Sequence, residues 1–247
     1  VGMKDLDEAS DRVSMGPARK SKQVLEVDRQ LVAYHEAGHA VTANLLPLAN
    51  KTHKLTIVPR GRAGGYMLPM PTETMHYTKL RLLDEIATTL GGRVAEELFV
   101  GDVTTGAQQD FQQGTSIARR MVAEWGMSER LGHVAHIVES EGYLGYGGES
   151  RNYSDATAKA IDAEVREIIE AQYSRVRDLL SAHREAVLRV VGGLFERETL
   201  TGEEVQLLIE GFPLPPMEIE REPVKPPTNK PESGGFIPPL LPKPGGA

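Results

Sequence analysis

The chain has 247 residues, 40% of them apolar, with 28 basic and 35 acidic side chains that give a formal charge of −7. This mildly acidic globular composition gives no electrostatic case for a nucleic-acid partner, and the lack of cysteine excludes disulfides, thiol nucleophiles and thiolate metal sites. No apolar run is long enough to cross a bilayer and no signal-peptide pattern opens the chain, so we expect any membrane attachment to lie outside it. No G-x-x-x-x-G-K-S/T phosphate loop occurs, so the chain is not expected to bind ATP by that means.

The N-terminal region is predicted to lead into a buried helix. Residues 1–27 are polar and are interrupted by Gly16-Pro17, which predicts a short helix followed by a linker. A helical pattern follows, with Asp28 as its predicted N-cap and with Pro47 ending it at Leu46. Because this segment is apolar almost all round, we expect the helix to be buried.

Two short β-rich stretches follow this helix. They cover 54–59 and 65–70, and the glycine-containing segment 60–64 between them predicts a turn. We therefore expect a hairpin, or two short strands, beside the helix.

The next helical pattern runs from about His76 to Val100, with apolar residues at three- and four-residue spacing. Gly91 and Gly92 interrupt this pattern, at a cost of about 1 kcal/mol each relative to alanine. We therefore expect a kink or a close backbone approach at the two glycines.

A further helix is predicted to run to about Trp125. Thr105 and Gln108 have the spacing of a capping box at its start, with Thr105 as the N-cap. Asp110 then falls in or near the first turn of this helix.

The remainder is predicted to be helical after an irregular, glycine-rich region at 129–153. Apolar periodicity indicates helices over 155–181 and 184–197, and a capping box of Thr201 and Glu204 begins a short last helix. The predicted fold class is therefore mainly α-helical, with one small β element.

Composition divides the chain into three parts. A connecting linker covers 1–27, and a folded domain covers 28–211. The tail at 212–247 holds eleven of the 16 prolines and has too little apolar content to pack, so it is predicted to be disordered.

An H-E-x-x-H sequence, His35-Glu36-Ala37-Gly38-His39, lies inside the first predicted helix. Side chains four positions apart share a helix face at about 5 to 6 Å between Cβ atoms, so both imidazoles can reach one metal ion. Glu36 is then positioned to take a proton from a metal-bound water, and zinc is the metal that such a site favours. Two histidines and a glutamate on an apolar helix would also be costly to bury without such a partner.

The residues alone leave the third metal ligand open. Glu96, Glu97, Asp102 and Asp110 are all possible, and local spacing does not choose among them. Because the longer H-E-x-x-H-x-x-G-x-x-H pattern is missing, a carboxylate is favoured over a third histidine.

Four sequence segments, which follow one another in a fixed order along the chain, carry a resemblance that extends well beyond the helix with the two histidines. They read AYHEAGHA at 33–40, TIVPRGRAGGY at 56–66, LGGRVAEELFVGDVTTGAQQD at 90–110 and IARRMVAEWGMS at 117–128. Together they resemble the protease domain of FtsH-type AAA+ zinc metalloproteases. The resemblance covers nearly all of residues 1–211.

This resemblance implies a zincin-like helical protease domain with its small β element beside the H-E-x-x-H helix. It implies zinc held by His35, His39 and Asp110, with Glu36 as the catalytic base. The family usually has Ser-Asn before this aspartate, whereas this chain has Gln108-Gln109, which leaves the ligand itself in place. Glu96 or Glu97 is then an acid that supports the site or the fold.

The resemblance also implies a longer protein. The family carries transmembrane helices and an AAA+ ATPase module ahead of the protease, and it assembles as a homo-hexamer, so residues 1–27 would end the connection to that module. The intact protein would lie at the inner (plasma) membrane, or an organelle equivalent, with this domain on the cytoplasmic side. It would degrade unfolded or regulatory membrane and cytoplasmic proteins, with ATP acting only through the absent module. The fragment itself is expected to be soluble.

Two other functions fit the same residues. One is another zinc hydrolase, either an aminopeptidase or an amidohydrolase. The other is a non-catalytic oligomerisation module with a structural zinc, although a structural site usually has four protein ligands and no need of a base such as Glu36. For the protease, we expect an unfolded substrate to add as a strand to the edge of the segment 55–60 or 66–70.

Overall fold

The computed structural model describes residues 25–61, 63–139, 149–151 and 153–216, together with seven positions before residue 18. The chain divides into two compact units, Val1–Leu214 and Pro215–Ala247, and the features below belong to the first. Most of the predicted linker at 1–27, and the predicted tail from 217 onward, lie outside the described residues. Within the described part, no helix is both long enough and apolar enough to cross a membrane.

Six α-helices and two small sheets make up the described part of the first unit. The elements are α1 (Glu26–Leu45), β1 (Thr52–Thr56), β2 (Tyr66–Pro69), α2 (Lys79–Ala95), α3 (Gln108–Ala123), β3 (Ile137–Glu139), β4 (Glu149–Arg151), α4 (Asp155–Ala182), α5 (Arg184–Arg197), β5 (Thr199–Thr201) and α6 (Gly202–Glu210). A π-helical turn, Glu96–Val100, continues α2, and a 3-10 turn, Thr105–Ala107, precedes α3. The predicted fold class is confirmed: the domain is mainly helical, and its three-stranded sheet packs beside the H-E-x-x-H helix.

Helix α1 is buried, as its apolar sequence predicts. Its small side chains Ala33, Ala37 and Ala40 have no exposed surface, and they belong to a core that also includes residues of α2, α5, α6 and the sheet. Such small residues let neighbouring helices approach closely. A second core, formed by α2, α3 and α4, lies on the other side of α2.

The close approach predicted at the glycine pair is confirmed. A Cβ atom placed on Gly38 of α1 would lie 2.3 Å from the carbonyl oxygen of Gly91, and one on Gly91 would lie 2.6 Å from the carbonyl oxygen of Gly38. Only glycine fits at both positions, because these distances are far below van der Waals contact. Helix α2 continues through both glycines without a break.

The main sheet has the strand order β2-β1-β5, with antiparallel pairing throughout. Leu55 of β1 pairs with Met67 of β2, which confirms the predicted hairpin. On its other side Leu55 pairs with Leu200 of β5, a strand that the sequence analysis did not predict. Strand β1 is therefore central, and the expectation that 55–60 could offer an edge to a substrate is wrong. Strand β2 has no second neighbour in the described part of the chain.

Two predicted helix caps are wrong and one is confirmed. Helix α1 begins at Glu26, so Asp28 lies in its first turn and does not cap it. Before α3, the side chain that accepts a backbone N–H belongs to Thr104, and Thr105 lies inside the 3-10 turn. The capping box of Thr201 and Glu204 is present at the start of α6, with both of its hydrogen bonds formed.

The segment predicted to be irregular contains one further pairing. Strands β3 and β4 pair antiparallel, with Val138 opposite Ser150. The connection at 140–148 lies outside the described residues.

Candidate metal centre

The two histidines of α1 lie on one face of the helix, as their four-residue spacing requires. Their Nε2 atoms are 3.1 Å apart, and their rings meet edge to face with centroids 4.7 Å apart. Both side chains are largely buried, with 13% of His35 and 9% of His39 exposed. Two imidazole nitrogens thus point to one place beside the helix.

Helix α2 and its π-helical turn contact both imidazoles at their Nδ1 atoms, on the side away from the Nε2 atoms. Nδ1 of His35 lies 2.7 Å from Oε1 of Glu96, and Nδ1 of His39 lies 2.8 Å from the carbonyl oxygen of Thr88. Because these oxygens can only accept, each Nδ1 carries the proton and donates it. In the neutral imidazoles, the Nε2 lone pairs are then the ones that a metal can bind.

Asp110 completes the cluster from the first turn of α3. Its Oδ2 atom lies 3.2 Å from Nε2 of His35 and 3.7 Å from Nε2 of His39. Burial raises the pKa of Asp110, but hydrogen bonds from the two histidines outweigh it and hold the pKa well below its usual range. Asp110 therefore presents an ionised oxygen to the two nitrogens.

The other carboxylates considered as third ligands lie elsewhere. Glu96 contacts the outer nitrogen of His35, and Glu97 accepts a hydrogen bond from the Tyr173 hydroxyl at 2.5 Å. Asp102 is exposed and accepts a hydrogen bond from the backbone amide of Val103. Among the four carboxylates, the structure brings only Asp110 to the Nε2 side of the histidines.

The spacing of the three donors fits a tetrahedral ion. Ligand atoms at zinc–nitrogen and zinc–oxygen bond lengths lie about 3.4 Å from one another in tetrahedral geometry. The three separations here are 3.1, 3.2 and 3.7 Å. His35, His39 and Asp110 are also the set of residues in the described part that could hold a metal ion together.

The charge of the cluster is suited to a cation. Burial lowers the pKa of His35, but Asp110, Glu96 and Glu36 overcome this effect and raise it to about 10. A proton held this tightly by surrounding carboxylates shows that the site favours positive charge. The metal that replaces it would meet the same carboxylates.

Glu36 lies next to the histidines with its carboxylate unpaired. The residue is 8% exposed, and it makes no hydrogen bond or ion pair with the described part of the chain. Burial raises the pKa of its carboxyl, and the two histidines lower it in part. It borders the same groove as the three donors, which leaves it accessible to a small molecule such as water.

Comparison with known proteins agrees with this geometry. The family model described as Peptidase family M41 matches residues 22–208. The chain belongs to peptidase family M41. This membership confirms the resemblance to FtsH-type metalloproteases on which the sequence analysis relied.

Several relatives of this M41 chain carry the name "ATP-dependent zinc metalloprotease FtsH". The protein of Thermus thermophilus is 54% identical over 214 residues, which cover 87% of this chain and 34% of the relative. The protein of Bacillus subtilis is 45% identical over 219 residues, covering 87% of this chain and 34% of the relative. A protein of Thermoanaerobacter, named "ATP-dependent zinc metalloprotease FtsH 1", is 48% identical over 214 residues, which cover 85% of this chain and 35% of the relative. The chain thus spans about a third of the length of these curated relatives.

The M41 domain has a groove of about 810 Å³ in front of the cluster of His35, His39 and Asp110. One side of the groove is formed by Gly64, Gly65 and the start of β2 at Tyr66 and Met67. The other side includes α2 residues such as Glu85 and Thr88, and the segment that leads into α3. The groove is therefore bordered by a strand whose outer edge has no partner in the described residues.

Sequence reasoning missed three contributors to the M41 site. The Thr88 carbonyl is a backbone group, so the residue type gives no indication of its contact with His39. Thr104, whose amide and hydroxyl both donate to Glu96, was not identified, because the predicted capping box had Thr105 as its N-cap. Gly92 was predicted to make a close approach, but not to the histidines.

Proposed function

We propose that this M41 domain is a zinc-dependent endopeptidase, with His35, His39 and Asp110 as the metal ligands and Glu36 as the general base. The observation that carries the proposal is the convergence of three donor atoms beside an unpaired carboxylate in a groove. Three protein ligands leave one position of a tetrahedral ion open, which is the arrangement of catalytic zinc sites.

Zinc, when bound, lowers the pKa of a coordinated water towards about 7 and polarises the carbonyl of a peptide bond. The carboxylate of Glu36 accepts the proton that the attacking water loses, because it is close to the ligands and has no competing partner. The same carboxyl then donates that proton to the leaving amine. Burial supports this role, since it brings the proton affinity of a carboxylate closer to that of the groups with which it exchanges protons.

The free edge of β2 supports a polypeptide substrate. An extended chain that paired with β2 would gain main-chain hydrogen bonds without any requirement for particular side chains. It would lie along the groove that holds the metal ligands, because β2 begins in the wall of that groove. This arrangement suits cleavage within a chain, whereas an aminopeptidase or an amidohydrolase would not need a strand edge.

We infer a wider role from the relatives. They are named as ATP-dependent proteases, and this chain spans about a third of their length. On this proposal an ATPase module elsewhere in the protein delivers unfolded membrane and cytoplasmic proteins to the groove. Assembly as a homo-hexamer, and attachment at the inner membrane with this domain on the cytoplasmic side, belong to the same proposal.

The experiment is cleavage of a permanently unfolded protein by the chain with added zinc, beside Glu36→Gln and a chelated sample. We expect cleavage by the zinc-loaded chain alone, and we expect Glu36→Gln to retain zinc when its metal content is measured. Internal cleavage of a peptide with a blocked N-terminus separates an endopeptidase from an aminopeptidase. Zinc binding without cleavage of either substrate would favour the non-catalytic oligomerisation module.

A further inference from the structure

Gly92 lies directly against both metal-binding imidazoles. A Cβ atom placed on it would lie 2.5 Å from Nε2 of His39, 2.6 Å from Cε1 of His35 and 2.7 Å from Nε2 of His35. Real Cβ atoms essentially never come closer than 3.0 Å to a neighbouring atom. The two nitrogens that face the metal therefore occupy space that any other residue would fill.

The neighbouring glycine has a different role. A Cβ on Gly91 would meet the backbone of Gly38 and, at 2.9 Å, the hydroxyl of Thr42. None of these atoms belongs to the metal cluster. Gly91 thus serves the crossing of α1 and α2, whereas Gly92 faces the ligands.

Gly92 is the middle of a stripe that runs along α2 into its π-helical turn. Thr88 lies four residues before it and Glu96 four residues after it, so the three share one face of the helix. The Thr88 carbonyl accepts a hydrogen bond from His39, and the Glu96 carboxylate accepts one from His35. Between these two acceptors, the bare backbone of Gly92 is the surface on which the imidazoles rest.

We propose that Gly92 is a positioning residue, whose missing side chain allows the stripe to hold both Nε2 atoms at the separation that a metal requires. The rings cannot withdraw from an added methyl group without lengthening the hydrogen bonds that fix them at both ends of the stripe. They also cannot move toward the groove without changing their spacing to Asp110. The proposal rests on the metal-ligand role of the histidines, and it concerns metal affinity independently of peptidase activity.

The test is zinc affinity of Gly92→Ala, measured by competition with a chromophoric chelator. We expect a loss of about 10- to 100-fold, the size of effect seen when groups that orient metal ligands are altered. The absorption spectrum of bound Co²⁺ should also change, because it reports the ligand geometry. Gly192→Ala is the matched control, since Gly192 is also helical and a Cβ there meets nothing within 4 Å.

A double substitution separates positioning from packing. If Gly92→Ala lowers the melting temperature of the metal-free chain, that loss should largely disappear in a His35→Ala/His39→Ala background, because the imidazoles are gone. The loss caused by Gly91→Ala should persist there. Unchanged zinc affinity and Co²⁺ spectrum in a folded Gly92→Ala chain would overturn the proposal, and so would a melting loss that persists without the histidines. If the wild-type chain binds zinc but cleaves nothing, the proposed function fails while this inference stands.

Discussion

Glu96 joins two distant parts of the chain through one carboxylate: its Oε1 atom lies 2.7 Å from Nδ1 of His35, and its Oε2 atom accepts the backbone amide of Thr104 at 2.8 Å. The residue is 1% exposed. It therefore orients the His35 imidazole of α1 and anchors the segment that leads to Asp110.

Replacing Glu96 with alanine should weaken zinc binding by about 10- to 100-fold, because the His35 imidazole loses the acceptor that fixes its orientation. Glu96→Gln should be milder, since its amide oxygen can still accept from Nδ1. Glu97→Ala is the control, because Glu97 contacts Tyr173 and Arg177 and not the histidines. Zinc titration of the three variants checks this order of affinities. Equal zinc affinities for Glu96→Ala and Glu97→Ala would contradict the prediction.

Asp110→Asn should reduce zinc affinity strongly, because an amide oxygen lacks the negative charge that a carboxylate ligand supplies. Asp102→Asn should leave the affinity unchanged, because Asp102 is exposed and only contacts its neighbouring amide. Calorimetric titration of both chains with zinc distinguishes them. If Asp102→Asn were the weaker binder, the third ligand would have been assigned wrongly.

N-methylation of substrate peptides tests strand addition to β2. Methyl groups on amides that flank the cleaved bond should raise KM, because they remove hydrogen-bond donors and clash with a paired strand. The same peptide methylated far from the cleaved bond is the control. A methyl scan that leaves kcat/KM flat around the cleaved bond would rule out the β2 edge as a binding surface.

The histidine pair was predictable because it depends only on helical spacing. Four-residue spacing places His35 and His39 on one face whatever surrounds them, and apolar neighbours indicate that the face is buried. The carboxylate was not predictable in this way, because the distance from α1 to α3 is set by the whole tertiary fold. Only the family resemblance selected Asp110 among the possible carboxylates, and the structure shows its Oδ2 atom close to the Nε2 atoms of His35 and His39.

Strand β5 and the Thr104 cap show why other features escaped prediction. Three residues are too few to carry a strand pattern, and Thr199–Thr201 is extended because it pairs with β1. Thr104 and Thr105 are equally good caps by sequence, and the choice falls on Thr104 because Glu96 holds its amide. The local sequence leaves such contacts open, and tertiary packing decides them.

Asp84 is a buried carboxylate of α2, and its loss should be costly. The residue is 3% exposed. Its carboxylate accepts hydrogen bonds from the Leu48 amide at 2.9 Å and from the Arg175 guanidinium at 2.8 Å. We expect Asp84→Ala to lower the free energy of unfolding by about 2 to 4 kcal/mol, since hydrogen bonds to charged groups are worth about 1.5 to 3 kcal/mol each and solvent screening of the 41% exposed Arg175 side chain weakens one of the two.

Asp162→Ala is the control for this prediction. Its ion pair with Arg119 has nearly the same length, 2.9 Å, but the side chains are 63% and 42% exposed. Solvent screening limits such a pair to about 1 kcal/mol or less. Urea unfolding of both chains gives the comparison, and equal losses would mean that burial does not govern the strength of the Asp84 contacts.

The pairing of β1 with β5 has a consequence for how the domain is made. Thr56 and Thr199, whose hydroxyls meet at 2.7 Å, are 143 positions apart in the chain. During translation the histidines and Asp110 leave the ribosome long before β1 can gain its second neighbour. The three-stranded sheet that borders the groove is therefore completed only when nearly the whole described domain has been synthesised, so a nascent chain carries His35, His39 and Asp110 before this sheet has its third strand.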